Sequence, residues 1–454
     1  MKSEITHISN LISDRFDAQF RLGINNCIGT IKEIPHKAIG EFAQFSSESW
    51  DQKTIFTEFF PYIEIGSINT TTGDIDNIDL VRIKDAPSRA KKIVRENDIL
   101  ISTTRPNRGA ICLYKKKSVC IASTGFSIIR KIDDTVLRDF LFIMLKLPLS
   151  LDQMMKRSSG GNYPAIIESE LKKIIIPIPS KNIQYSIVDI YSKAQQTRSN
   201  KIQEAKQLLD GIDDFLFSKL DISLESNEFN SKGHHIKISD LIGGRLDVGY
   251  YNQSKHGGVT TALKSSKYPT AHLSLLTKDI FQGVGKNETD DNTYTLLKVK
   301  NILRGNRIDY SDVEYVKSVP KNKILLKDDI ISPFIGEAVK QIKFCVFNRE
   351  GNYTVDNNTG VIRLKDTMNA HYVCEYLCSC LGKQQIERLI GGGGVPFLGA
   401  SGAKKLIIII PPIKIQNEID QEIANIRKKA ETLIREGNTL LEETKKQIEK
   451  MIIG

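Results

Sequence analysis

Ile174-Ile175-Ile176-Pro177-Ile178-Pro179 leads into residues 182–220, where Gln184, Ile187, Ile190, Ala194, Ile202, Ala205, Leu208, Ile212 and Phe215 recur mostly at steps of three and four. That spacing is the signature of an amphipathic helix or a short coiled coil. The chain repeats it. Ile407-Ile408-Ile409-Ile410-Pro411-Pro412 leads into a second run carrying Gln416, Ile419, Ile423, Ile426, Ala430, Leu433, Leu440, Leu441, Thr444 and Ile448. Pro164 and Pro396, Pro179 and Pro411, and Gln184 and Gln416 are each 232 residues apart. The chain is therefore an internal duplication. Each helix, at 1.5 Å per residue, would be roughly 55–58 Å long. Neither would be stable exposed to water, but each can bury the other's apolar stripe.

At 454 residues the chain exceeds one ordinary core and implies two to four domains. Hydrophobic content of 40% and charged content of 26% are those of a soluble globular protein. No apolar run approaches the roughly 18 residues needed to cross a bilayer, and Met1-Lys2-Ser3-Glu4 opens no export signal, so a cytoplasmic protein away from membranes is expected. Seven cysteines suit free thiols better than a disulfide framework. The net charge of +10 is unevenly placed: the two helical runs together carry +1, leaving +9 on the globular segments. Such a distribution suits domains that touch a polyanion, joined by helices that touch each other.

In chain order, Arg15-Phe16-Asp17-Ala18-Gln19-Phe20 has a counterpart in Arg245-Leu246-Asp247-Val248-Gly249-Tyr250-Tyr251, and the pair predicts an Arg–Asp and aromatic anchor opening each globular unit. Short β-runs follow: Tyr62-Ile63-Glu64-Ile65 and Ile99-Leu100-Ile101-Ser102 in the first copy, Leu296-Leu297-Lys298-Val299 and Ile330-Ile331-Ser332 in the second. The segments after them, Thr103-Thr104-Arg105-Pro106-Asn107-Arg108-Gly109 and Pro333-Phe334-Ile335-Gly336-Glu337, differ completely. A shared framework with divergent loops describes two related readers of different targets. Helical stretches at 137–156 and 370–389 then end in Ser158-Ser159-Gly160-Gly161-Asn162-Tyr163-Pro164 and Gly391-Gly392-Gly393-Gly394-Val395-Pro396. Short polar helices at 169–173 and 401–405 precede the Ile/Pro strands, and residues 223–235 form a polar linker.

Catalytic signatures are weak. The glycine loops match neither nucleotide-binding pattern, so they read as tight turns or as places where the main chain approaches a DNA backbone. Glu170-Leu171-Lys172 resembles the tail of a nuclease motif, but Gly402 stands where the copy should repeat Glu170. His371, Cys374, Cys378 and Cys380 lack paired zinc spacing and lie on an apolar stretch, His234-His235 has no acidic or cysteine partner, and no Asn-Pro-Pro-Tyr occurs. No metal site is expected.

In these features the chain resembles the DNA-specificity subunits of type I restriction-modification systems, over essentially its whole length. The resemblance implies a mixed α/β (α+β) fold: two duplicated target-recognition domains joined by two long helices that form an antiparallel coiled coil with pseudo-two-fold symmetry. The boundaries are 1–180 for the first recognition domain, 181–222 for the central helix, 223–235 for the linker, 236–412 for the second domain and 413–454 for the distal helix. It implies no catalysis by the chain itself and no cofactor bound to it. Its partners would be double-stranded DNA, two modification subunits using S-adenosylmethionine, and restriction subunits using ATP and Mg. Each domain would read one half of a bipartite site, with the helices setting the spacer. Base-reading candidates come from side-chain chemistry: Arg105, Asn107 and Arg108 in the first copy, Lys340 and Gln341 in the second. Asn162, Tyr163, Gly392, Gly393 and Gly394 are backbone or groove candidates, and Ile187, Ile190, Ala194, Leu208, Ile212, Ile419, Ile423, Ile426, Leu433 and Leu441 are expected to pair the helices. The alternative is a coiled-coil DNA-binding scaffold or regulator outside any restriction-modification complex. A regulator would usually carry a helix-turn-helix; a scaffold for proteins alone would not need basic, duplicated units with divergent loops.

Overall fold

The computed structural model describes residues 34–222, 259, 261–285, 293–391 and 394–453. The Arg-aromatic-Asp anchors, the linker, His234-His235, Gly392 and Gly393 lie outside the described residues. The chain divides into two compact units, one of residues 1–202 and 434–454, the other of residues 203–433. The division passes through both long helices, so each unit takes the first half of one helix and the second half of the other.

The first unit runs β1 (His36–Ala38), α1 (Ile39–Phe42), β2 (Ala43–Phe45), β3 (Phe59–Ile63), β4 (Asp79–Arg82), β5 (Ala90–Val94), β6 (Ile99–Ser102), β7 (Ile111–Leu113), β8 (Cys120–Ser123), β9 (Phe126–Ile132), α2 (Arg138–Lys146), α3 (Pro148–Lys156), α4 (Glu168–Leu171) and β10 (Ile175–Pro177), then enters α5 (Lys181–Asp210). Two four-stranded sheets form, ordered β2-β9-β6-β7 and β4-β3-β8-β5, with β3 and β8 parallel and the other pairs antiparallel. β6 is buried on both faces because successive side chains alternate sides. Ile99 and Ile101 enter the core built with the helices, while Leu100 enters the core holding Ile63, Val94 and Phe126.

The second unit takes α6 (Ile212–Leu220), β11 (Thr270–His272), α7 (Leu273–Leu276), β12 (Thr277–Gln282), β13 (Tyr294–Leu297), β14 (Ile302–Leu303), β15 (Arg307–Ile308), β16 (Glu314–Val316), β17 (Ile330–Pro333), β18 (Cys345–Val346), β19 (Tyr353–Val355), β20 (Thr359–Leu364), α8 (Ala370–Cys378), α9 (Cys380–Leu389), α10 (Gly399–Ala403) and β21 (Ile407–Ile409), then the start of α11 (Ile413–Ile453). Its sheets, β12-β20-β17-β18 and β16-β13-β19, repeat the first unit's order with β13 and β19 parallel. Where the first unit has β5, this one has no paired strand among the described residues, and it adds the hairpin β14–β15. Ile330 and Ile331 again divide between two cores.

The duplication extends to buried hydrogen bonds. Gln184 Oε1 accepts from Leu137 N at 2.8 Å and its Nε2 donates to Pro179 O at 2.9 Å; Gln416 does the same with Asn369 N (2.9 Å) and Pro411 O (2.8 Å). Gln153 clamps both backbone groups of Ile175, as Gln385 clamps Ile407. Arg130 forks onto Asp98 and Arg363 onto Asp329, two donors to two oxygens in each case. These groups are buried, so each amide and carboxylate must find its partner within the protein, and both copies found the same ones.

The long helices run antiparallel. In the first unit Arg198 Nε donates to Asn438 Oδ1 (2.8 Å) and Lys201 pairs with Glu436 (2.7 Å); in the second Lys429 pairs with Glu204 (3.5 Å). Positions 184, 187, 191, 194, 205, 212 and 216 of the central run and 416, 419, 423, 430, 437, 441, 444 and 448 of the distal helix are buried. Small residues let the backbones close up: a Cβ on Gly437 would stand 3.4 Å from the Arg198 Cα. Three expected boundaries change. The central run is interrupted at Gly211, which separates α5 from α6, where glycine is the least favourable ordinary helix former. The stretch 137–156 splits before Pro148, whose ring cannot continue the preceding turn. The stretch 370–389 splits at Ser379, whose hydroxyl accepts from Gly382 N and caps α9. The short helices also sit slightly earlier than expected, at Glu168–Leu171 and Gly399–Ala403. Among the described residues, no helix is long and apolar enough to cross a membrane.

Candidate nucleic-acid interface

In each unit the loop leaving an inner strand, β6 of the sheet β2-β9-β6-β7 or β17 of its copy β12-β20-β17-β18, is braced against the glycine-rich loop. After β6, Arg105 N donates to Pro164 O (2.7 Å), Ile166 N to Thr103 O (2.9 Å), and Ser159 and Ala165 exchange both backbone bonds at 2.8 Å. After β17, Gly336 N donates to Pro396 O (2.8 Å), and Gly391 and Phe397 exchange both bonds at 2.9 Å. Two segments more than fifty residues apart in each copy thus form one platform. Equivalent positions are Thr104 and Ile335, Arg105 and Gly336, Asn162 and Gly394, Tyr163 and Val395, and Ala165 and Phe397.

On the first platform Arg105 adopts a left-handed conformation, φ +48°, which a residue with a Cβ seldom occupies. The conformation sets the guanidinium 4.4 Å from the centre of the Tyr163 ring, an arginine–aromatic stack. Tyr163 is 71% exposed, and Asn107, Arg108 and Asn162 are exposed as well. The loop closes through the short helical turn Pro106–Arg108 and Gly109, at φ +68°. These five sequence-chosen residues therefore sit on two loops that the hydrogen bonds above hold together. On the second platform Lys340 and Gln341 lie exposed in the turn Glu337–Gln341, with Lys340 paired to Glu337 at 2.9 Å. Gly394 is exposed, with open space where a side chain would go.

The helix-pairing residues divide by burial. Ile187, Ala194, Ile212, Ile419, Ile423 and Leu441 are buried, whereas Ile190, Leu208, Ile426 and Leu433 are half-buried. Glu170 pairs with Arg157 (3.1 Å) and Lys173 (2.8 Å) in the first unit. Cys374 is buried, Cys378 and Cys380 are half-buried, and all three are free thiols. Among the described residues no group of three metal-ligating side chains comes together.

Lys146 and the apolar trio Ile335, Val395 and Phe397 were not legible as site residues. Lys146 closes α2 and is buried, its Nζ donating to Thr70 O (2.9 Å) and to Gly109 O (3.1 Å), the residue that ends the Arg105 loop. Burial pushes its ammonium down to about 7, helped by the neighbouring Lys445 charge. The unfolded chain titrates near the ordinary lysine value, so between about pH 7 and 10 it holds a proton that the folded chain lacks. Stability therefore rises with pH across that window. From pH 7 to 9 the gain expected is about 2 kcal/mol, and Lys146→Met should remove it. Denaturant unfolding of both proteins at the two pH values measures this, and parallel pH dependences would contradict it.

A braced, exposed platform is thus present in both units on a shared framework, with cationic, amide and aromatic side chains on the first and Lys340, Gln341 and apolar side chains on the second. Residues 31–234 match the family model described as the type I restriction modification DNA specificity domain. Over 141 residues the chain is 30% identical to the specificity subunit of the type I restriction enzyme HindI of Haemophilus influenzae, a match that spans 29% of this chain and 30% of that protein. Over 393 residues it is 24% identical to the specificity subunit of the MjaIX enzyme of Methanocaldococcus jannaschii, covering 84% and 83% of the two chains. Among solved structures, a chain from a study of complex assembly and conformational transition of the type I system aligns over 92% of this chain and 96% of its own length, with 18% identity and a TM-score of 0.49. The HsdS subunit of Thermoanaerobacter tengcongensis aligns over the same shares, with 18% identity and a TM-score of 0.38. Over residues 31–234 the chain is thus similar to the DNA specificity domain of type I restriction-modification systems, and over most of its length to a specificity subunit of such a system.

Proposed function

We propose that the chain is a DNA-specificity subunit of a type I restriction-modification system, that it reads a bipartite, asymmetric DNA site, one half with each platform, and that its paired helices set the spacer between the halves. The observation that carries this reading is the repeat itself: the two platforms share their backbone hydrogen bonds at an offset of 231–232 residues, yet present different exposed side chains. A shared frame with different chemistry is what recognition of two unlike half-sites requires. The globular segments carry +9 of the chain's +10, which favours association with phosphates over their surface. In this reading the subunit brings two modification subunits, which methylate adenine with S-adenosylmethionine, and restriction subunits, which translocate and cut with ATP and Mg, to the site it has bound.

Binding by the full chain, followed by fluorescence anisotropy, should weaken linearly in log affinity against log salt as phosphate contacts release counterions. Arg105→Ala or Arg108→Ala should relax discrimination in one half-site only, by about 1–3 kcal/mol where the contact is bidentate to a base. An equal loss on every sequence would assign the arginine to phosphate, and salt-independent binding would refute the electrostatic part of the reading.

A further inference from the structure

The two platforms share backbone hydrogen bonds but present opposite surfaces. In the first, Arg105, Asn162 and Tyr163 present hydrogen-bonding groups. In the second, the equivalent positions are Gly336, Gly394 and Val395, with Ile335 and Phe397 in place of Thr104 and Ala165. Side chains at those five positions of the second platform offer no hydrogen-bond donor or acceptor. Val395 is 58% exposed and Phe397 40%, while Ile335 is half-buried beside them through its bridge to Phe397. The Phe397 ring is held in place: a Cβ on Gly399, at φ +61°, would stand 2.3 Å from it. Apolar side chains left in water at a held position, on a loop that also carries Lys340 and Lys343, form an apolar contact surface beside cationic groups.

DNA offers one matching apolar group. In the major groove only thymine presents a methyl, while guanine and adenine present acceptors, and cytosine and adenine donors. We propose that the second platform selects its half-site through thymine methyl groups packed against Val395 and Phe397, whereas the first selects through hydrogen bonds from Arg105 and its neighbours. The backbone supports the division. Arg105 carries a side chain in the left-handed region, at φ +48°, where its copy is Gly336 in a different, glycine-favoured conformation at φ +91° and ψ 178°, so the first platform holds a strained side chain and the second holds none there.

This inference rests on the proposal that the platforms face DNA, and the experiment separates the two. The full chain selects duplexes from a random library, and the selected site is resynthesised with thymine replaced by deoxyuridine in one half at a time. Loss of one buried methyl should weaken binding about fourfold per contact in one half and leave the other unchanged. The half that ignores deoxyuridine should instead respond to 7-deazaguanine, which lacks the N7 acceptor. The Val395→Ala/Phe397→Ala variant should bind thymine and deoxyuridine duplexes equally, with its salt dependence retained. A selected bipartite site that tolerates deoxyuridine in both halves overturns this inference and leaves the reading of DNA intact. So does sensitivity that survives in the double variant. Failure to select any sequence removes both.

Discussion

Inserting four residues into each long helix, after Ala205 and after Ala430, is expected to lengthen the DNA spacer by one or two base pairs and leave both half-sites unchanged. Four residues add about one turn, roughly 6 Å, and nearly preserve the apolar face. A base-pair step is about 3.4 Å. Both helices must be extended together, because side chains pair them in both units: Arg198–Asn438 and Lys201–Glu436 in one, Glu204–Lys429 in the other. Extending only one would set buried Ala205 and Ala430 against mismatched partners. On the original spacing only one half-site can then be engaged. At about 1–3 kcal/mol for each lost base pair, affinity for that duplex should fall by at least about a hundredfold. Selection from a library of variable spacers measures the shift. A doubly extended protein that folds and still prefers the original spacing would show that the helices do not set the distance.

Asp329→Ala should cost about 3–5 kcal/mol of stability, because it leaves the Arg363 guanidinium without its carboxylate. Asp329 is nearly inaccessible, and it accepts from Arg363 Nε (2.8 Å), Arg363 Nη2 (2.7 Å) and Leu326 N (2.8 Å). Burial pushes its carboxyl above the usual range against the opposing pull of Arg363, which shows how costly its desolvation is. The copy in the first unit should be more forgiving. Arg130 also pairs with Glu48 at 2.8 Å, so Asp98→Ala leaves that guanidinium a second anion and should cost less. Arg363→Met added to Asp329→Ala should recover part of the loss, since the unpaired charge then disappears. Urea denaturation of the three variants decides the order, and equal costs in the two units would refute the role given to Glu48.

The periodicity that organises the chain was legible because helix pairing needs only a stripe. Steps of three and four and a constant offset put the long helices, the Ile-Pro strands and Gln184 and Gln416 in their places without any knowledge of tertiary contacts. Boundaries that depend on one residue's conformation were less legible: Gly211, Pro148 and Ser379 divide runs whose apolar pattern continues through them. Arg105, Asn107, Arg108, Asn162 and Tyr163 could be chosen for their chemistry, since cationic, amide and aromatic groups in glycine- and proline-bearing loops have few structural uses. Their conjunction could not. Arg105 meets Tyr163 only because the chain between them folds into three strands and two helices and returns to pair Ser159 with Ala165.

What the amino-acid sequence determined by itself was the repeat, and with it two globular units and two helices, because duplicated spacing survives divergence of everything exposed. The tertiary structure decided which exposed residues form a surface. Ile335 and Val395 stand in loops along the chain, and nothing in the sequence joins them to Phe397. Only the long-range bridge between Ile335 and Phe397 leaves part of that surface in water. Lys146 likewise reads as the solvated end of an amphipathic helix. It is buried because the carbonyls of Thr70 and Gly109, brought to it from other parts of the chain, replace the water its ammonium would otherwise need.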